Sequence, residues 1–260
     1  MPTHEIATRE TWLEARKALL AEEKALTRAN DALAAKRRAL PWVKVEKDYV
    51  FDGPDGRVTL AELFAGKRQL IVYHFMFGPG WQEGCVGCSF LSDGVDAILP
   101  HLAQKDVAYV AVSRAPFAEL DAFRRRMGWN FRWVSAGDGP FNYDFHVSFT
   151  PDEMARGQGV YNFETIAPPI DELSGVSVFI KGDDGAIFHT YSQYGRGGEE
   201  LLITYGLLDL TPMGRQEEEG RGNLSDWVRH HDRYGAAGEV AATGRFVPAA
   251  EPGCPACAAP

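Results

Sequence analysis

The chain has 260 residues, 45% hydrophobic and 24% charged, enough apolar material for one substantial core with appendages. Its formal charge of −9 and pI near 5.3 would repel a phosphate backbone, and its short basic runs, Lys36-Arg37-Arg38 and Arg124-Arg125-Arg126, fall at ends of helical patterns, so no nucleic acid is expected as partner. No stretch of about 18 apolar residues occurs and the amino terminus carries no apolar signal core, so neither membrane nor secretion is expected and the cytoplasm is the default.

In chain order, Trp12, Leu19, Leu26, Leu33 and Leu40 recur every seven positions among Glu, Lys, Arg and Ala. This predicts one long helix from Thr8 to Leu40, started by Thr8 or by a Thr11/Glu14 capping box and stopped by Pro41. One large residue per heptad makes a weak coiled coil, so the stripe is expected to pack on the main domain or on a homodimer mate. Val43–Phe51, a Gly-Pro-Asp-Gly turn and a short helix in VTLAELFAG come next. QLIVYHFMF and VAYVAVS are continuous apolar, β-branched runs, the pattern of strands buried on both faces. Helices are expected between them, from about Ser89 to Gln104, and after them, from Pro116 to about Met127, followed by a strand in WNFRWVS. Strand, helix, strand, helix, strand is a parallel α/β unit. SVFIKGDDGAIFHTYS reads as a hairpin about Asp-Asp-Gly, which makes the sheet mixed. A helix around Ser225–Tyr234 and a flexible Gly/Ala/Pro-rich tail complete the chain. The expected division is therefore a helical extension over 1–41, the main domain over 42–234 and the tail over 235–260.

Within YHFMFGPGWQEGCVGCSFLSD, Cys85 falls at or near a helix N-terminus and Cys88 one turn further along the same face. Backbone N–H groups there stabilise a thiolate, so Cys85 would attack and Cys88 would resolve. Trp81 could wall the site, and Glu83 would raise the thiol pKa if it pointed inward. Four cysteines in two CxxC pairs suit redox catalysis or metal binding better than structural disulfides in a reducing compartment. At this point a redox dithiol, a zinc ligand pair and two inert buried thiols all remain open.

The segments MFGPGWQEGCVGCSFLSDG, VAVSRAP, FRRRMGWNFRWVS, FNYDFHVSF, GVSVFIKGDDGAIFHTYS and LDLTPMGR together resemble the DUF899 family, over roughly Thr8 to Tyr234. The resemblance implies a thioredoxin-like α/β fold, a mixed sheet flanked by helices, and dithiol–disulfide oxidoreductase activity carried by Cys85 and Cys88. No cofactor is then expected, and the partner would be a protein or small-molecule thiol or disulfide. Peroxiredoxins have a similar layout, which keeps a peroxidase as an alternative, but their cysteine follows Pro-x-x-x-Thr/Ser-x-x-Cys, and here Gln82 stands three positions before Cys85. Thioredoxins place a cis-proline before the strand facing the dithiol, where this chain has Ser174-Gly175-Val176.

Other candidates surround this centre. Arg114 closes VAYVAVS at the carboxyl end of a parallel strand, where its guanidinium could face the Cys85 loop or form a surface ion pair. His189, Tyr191 and Tyr194 follow the hairpin turn and could line a pocket or fill the core. His74 reads as a satisfied core histidine, and His230-His231-Asp232 point to different faces of the expected helix and make no chelate. Cys254 and Cys257 could relay electrons to the first pair from a mobile tail or supply the second half of a zinc site, although 165 residues separate Cys88 from Cys254.

Overall fold

The computed structural model describes residues 4–217, 227–235, 238–241 and 243–249. The chain forms two compact units, Met1–Trp42 and Val43–Pro260.

The first unit is helix α1 (Arg9–Arg38). Thr8 is its N-cap, its hydroxyl accepting from the Thr11 N–H at 3.2 Å, so the first of the two expected starts is the one used. Lys36, Arg37 and Arg38 occupy the last turn, at the negative end of the helix dipole. None of its residues is buried, and Trp12, Leu19, Leu26 and Leu33 are exposed.

The second unit runs β1 (Val43–Lys44), β2 (Val50–Gly53), β3 (Gly56–Thr59), α2 (Leu60–Leu63), β4 (Gln69–His74), α3 (Val86–Ser92), α4 (Leu99–Gln104), β5 (Val107–Ser113), α5 (Phe117–Arg126) and β6 (Arg132–Ser135). It continues with α6 (Phe141–Asp144), α7 (Pro151–Arg156), β7 (Gly159–Tyr161), β8 (Glu164–Ile166), β9 (Gly175–Lys181), β10 (Ile187–Tyr194), α8 (Ile203–Leu208), β11 (Gly238–Val240) and β12 (Phe246–Pro248). Eight strands make one sheet in the order β1-β10-β9-β4-β5-β6-β2-β3, parallel across β4-β5-β6 and antiparallel elsewhere. The fold is mixed α/β and thioredoxin-like: the cysteine loop follows the central strand β4, with a parallel neighbour on one side and the β9–β10 hairpin on the other.

Period-two alternation sorts the strands onto two cores. Tyr73, Ala111, Trp133 and Val176 face a cluster that contains Cys85 and Cys88, while Leu70, Val72, Val110, Val112, Val134 and Phe179 face a second cluster under Phe141 and Phe145. Apolar residues cover both faces of β4, which is why its sequence shows no polar alternation.

The structure departs from expectation in three places. The helix read over Ser89–Gln104 is broken after Ser92. Asp93 accepts from Trp129 Nε1 at 2.9 Å and Asp96 accepts the backbone N–H groups of Asn130 and Phe131, bonds that draw both carboxylates out of a continuous helix. Of the expected helix around Ser225–Tyr234, the described residues from 227 on form turns. Val228 and His230 are both fully buried, an inward period of two that a helix cannot present. In the stretch read as a flexible tail, β11 and β12 pair antiparallel and Phe246 is buried in the cysteine-bearing core; Cys254 and Cys257 lie outside the described residues.

Candidate dithiol site

Strand β4 ends at His74, and the Phe75–Gly84 segment returns the chain so that the Cys85 N–H donates to Met76 O at 3.0 Å. Gly84 fits only without a side chain, since a Cβ there would lie 2.6 Å from the Phe75 ring and 3.1 Å from that of Phe123. Cys85 is the N-cap of α3, and its carbonyl accepts from both Ser89 N and Ser89 Oγ at 2.9 Å. Both thiols are free and buried, with 5% and 2% of their surfaces exposed.

The two sulfurs are electrostatically unequal. The Cys85 thiol is held below its ordinary pKa chiefly by the hydrogen bond it receives from the Cys88 thiol, with the backbone N–H groups of Cys88 and Gly87 adding to it and burial opposing. Cys88 is pushed well above its ordinary value, first by burial and then by its hydrogen bond to Cys85 and the negative charge that Cys85 carries. Met76 N–H donates to Cys88 Sγ at 3.4 Å, and the buried Tyr73 hydroxyl donates to it as well. Tyr109 is a half-buried second phenol whose hydroxyl is out of solvent, held protonated by burial and by the proximity of Cys88. The anionic form is thus favoured at Cys85 and disfavoured at Cys88.

A shell of charge holds the loop. Glu83 pairs with Arg126 and, at 3.0 Å, with Arg233, so its carboxylate is engaged away from the thiols. Arg126 also takes Asp232, with its Nε 2.7 Å from Oδ2. His230 Nε2 donates to Gly84 O at 2.8 Å, its Nδ1 lies 3.5 Å from Arg126 Nη2 and 3.4 Å from Glu83 Oε2, and burial holds the ring below its ordinary pKa. The segment from 227 to 235 is thereby strapped over the residue preceding Cys85, and the Val86 N–H donates to Gly244 O at 2.9 Å.

The DUF899 family model, described as "Bacterial protein of unknown function", matches residues 1–234. The chain belongs to the DUF899 family. No curated protein matches it. Among solved structures, this DUF899 chain is similar to a peroxidoxin, BcpB, from Mycobacterium tuberculosis: 12% identity, 64% of this chain, 95% of that one, TM-score 0.42. It is also similar to a cysteine-to-serine variant of Xanthomonas campestris peroxiredoxin Q, at 18% identity over 65% of this chain and 96% of that one, TM-score 0.43. At such identity and score the likeness adds nothing to what the site itself displays.

The remaining expected residues of this DUF899 protein divide by location. Trp81 is buried in the same core as Cys85. Arg114 lies under Tyr143, its guanidinium 4.7 Å from the ring; its Nη1 is 2.9 Å from Glu172 Oε1 and its Nε donates to Gly137 O. Glu172, buried and bonded to Ser148, is pushed up to about 7 by burial. A Cβ on Gly78 would lie 3.1 Å from Glu172 Cγ and 3.0 Å from Trp81 Nε1, so the ion pair abuts the segment leading to Cys85 without being among the groups that set the thiol's charge. His189 belongs to the other face of the sheet, beside Phe145 and Phe179, with Nε2 2.8 Å from Ser192 Oγ; the structure does not bring it to the cysteines. Tyr194 donates to Phe145 O, and Tyr191 to Gln193.

Sequence reasoning missed Tyr73, Tyr109, His230 and Gly244. The two tyrosines alternate as any core residue does, and His230 and Gly244 reach the site only through long-range closure. Among the described residues no group of three or more His, Cys, Asp and Glu side chains is placed to hold a metal ion, so zinc at Cys85 and Cys88 would need ligands from beyond them. No described helix is long and apolar enough to cross a membrane.

Proposed function

We propose that this protein is a thiol–disulfide oxidoreductase in which Cys85 is the nucleophile and Cys88 the resolving thiol. The observation that carries the reading is the placement of two free thiols three residues apart at the start of α3, Cys85 at its N-cap and Cys88 one turn on, which agrees with a Cys85 thiol held below and a Cys88 thiol held above the ordinary value.

The Cys85 thiolate attacks one sulfur of a substrate disulfide. A Cys85–substrate bond forms, the substrate S–S bond breaks, and one substrate thiolate leaves and takes a proton. Cys85 then carries no charge, which removes two of the influences that hold the proton on Cys88. Cys88 loses that proton and attacks Cys85 Sγ, expelling the second substrate thiolate and leaving the Cys85–Cys88 disulfide. Two electrons pass from protein to substrate. An external dithiol reductant restores the pair.

The second pair extends this sequence. Gly244 lies against Cys85, and Cys254 follows ten residues later, a tether of at most roughly 35 Å. Such a tether holds the Cys254/Cys257 dithiol at high effective concentration around the first pair. A Cys254 or Cys257 thiolate then reduces the Cys85–Cys88 disulfide through a mixed disulfide, and its partner resolves that bond, so the tail becomes the oxidised pair that the external reductant meets.

The test is entrapment. Cys88→Ala in a chain also carrying Cys254→Ala and Cys257→Ala, incubated with glutathione disulfide, should accumulate a glutathione mixed disulfide mapped to Cys85 by mass spectrometry, whereas Cys85→Ser in the same background should form none on Cys88. Adduct formation on Cys88 at the same rate as on Cys85 would overturn the assignment.

A further inference from the structure

The way in to Cys85 is filled by the chain itself. Gly244 is in the turn of the β11–β12 hairpin at φ +79°, and a Cβ there would lie 2.8 Å from Cys85 Sγ. The glycine backbone thus sits against the reactive sulfur. The hairpin is held by the Val86 N–H bond to Gly244 O, by Phe246 buried in the core with the Arg233 guanidinium 5.9 Å from its ring, and by Arg245, whose guanidinium is 5.1 Å from the Trp81 ring. It lies wholly beyond the residues matched by the family, so it is an addition to a core that already carries the dithiol.

What the hairpin covers has the chemistry of a peptide-reading surface. Val86 N–H is a first-turn helix donor with no partner inside its own helix, and the Gly244 carbonyl of the hairpin is the partner it takes. Trp81, on whose ring Arg245 lies, also lines a groove of about 520 Å³ together with Phe77, Gln82, Glu119, Phe123 and Arg126. Trp81 and Gln82 belong both to that groove and to the face that Arg245 covers.

We infer that the β11–β12 hairpin is a self-docked stand-in for the substrate, and that the substrate is a disulfide borne on an extended peptide whose carbonyl replaces Gly244 O on Val86 N–H and whose side chains enter the Trp81 groove. The inference rests on the reading of Cys85 as exchange nucleophile. It names what that site accepts and what must move first, because an incoming sulfur has to take the position Gly244 holds. Glycine fits the role, since no other residue could lie against the sulfur at that φ without displacing the turn.

The experiment is the alkylation rate of each cysteine in the full-length protein by iodoacetamide, resolved by mass mapping. In Gly244→Ala, strain and the 2.8 Å encounter push the turn away, and Cys85 alkylation should rise about tenfold or more with Cys88 unchanged. Phe246→Ala removes the buried anchor instead and should give the same selective rise. Both variants should also reduce insulin disulfides faster than the parent chain. Cys85 alkylation that is unchanged or slower in both variants would overturn the inference, as would equal acceleration at Cys85 and Cys88, which reports general loosening. Selective acceleration at Cys85 with glutathione disulfide reduced but insulin untouched would overturn the peptide assignment alone, whereas reduction of neither disulfide would overturn the proposed activity.

Discussion

Each face of the central sheet holds a pair of titratable side chains, buried His74 with half-buried His189 on one and the two buried cysteines on the other, and the two pairs behave differently. On one face His74 and His189 end a chain of hydrogen bonds, with His74 Nε2 2.8 Å from Ser177 Oγ, Ser177 2.8 Å from Ser192, and Ser192 2.8 Å from His189 Nε2. Burial, helped by the nearby His189 and opposed by a hydrogen bond with Asn142, drives His74 down to about 3, so it is neutral at every ordinary pH. On the other face the two cysteines are as deeply buried, yet one of them is favoured as an anion. The difference lies in donors. Neutral hydroxyl partners satisfy a neutral ring and leave nothing to support a charge, whereas a thiol and two helix N–H groups converge on Cys85 and outweigh its desolvation. Burial makes a group inert unless something is aimed at its charged form.

That contrast can be broken from either side. The largest effect falls on activity: Cys85→Ser should bring disulfide exchange down to the uncatalysed level, and His74→Ala should leave it intact when both are assayed with glutathione disulfide. For stability the order reverses. His74→Ala opens a cavity beside Phe141 and Phe145 and leaves Ser177 with Ser192 in place of two partners, a loss of about 3 kcal/mol in denaturant unfolding, while Cys85→Ser changes far less. Gly84→Ala comes next. Its Cβ overlaps the Phe75 ring, so a loss of about 2 kcal/mol should accompany slower exchange as the Cys85 loop shifts. The smallest effect sharpens the electrostatic argument. Because the thiolate is the reactive form and the Cys88 thiol is its main support, Cys85 alkylation in the parent chain should titrate below the ordinary thiol range, falling as pH drops through the lowered pKa. In Cys88→Ala that midpoint should move up. A midpoint unmoved by Cys88→Ala would mean the helix N–H groups suffice.

The sheet was legible because its strands announce themselves. QLIVYH and VAYVAVS can be satisfied only between two cores, and Asp-Asp-Gly only at a turn, so β4, β5, β9 and β10 follow from local pattern. Cys85 and Cys88 were legible by the same logic, as a spacing placed after a strand and a glycine-rich turn. The cover was not. GRFVP in a Gly/Ala/Pro-rich tail carries little periodicity, and what fixes it is one buried Phe246 and a backbone carbonyl, neither of which has a sequence signature. His230 looked helical because its neighbours are polar, yet its ring is committed to Gly84 O across 146 residues. His189 shows the converse failure. A histidine after a turn suggests a pocket, but strand parity past the irregularity between His189 and Tyr191 sends it to the far face, where Ser192 already awaits it.

The most direct test of the central claim is a redox titration of the full-length protein in glutathione buffers, with the cysteines trapped by alkylation and mapped by mass. The account predicts a reversible two-electron transition that converts Cys85 and Cys88 together into one intramolecular disulfide. Two thiols that stay reduced across the whole range, or that are retained as ligands of a zinc ion removable only by acid or thiol modification, would contradict it.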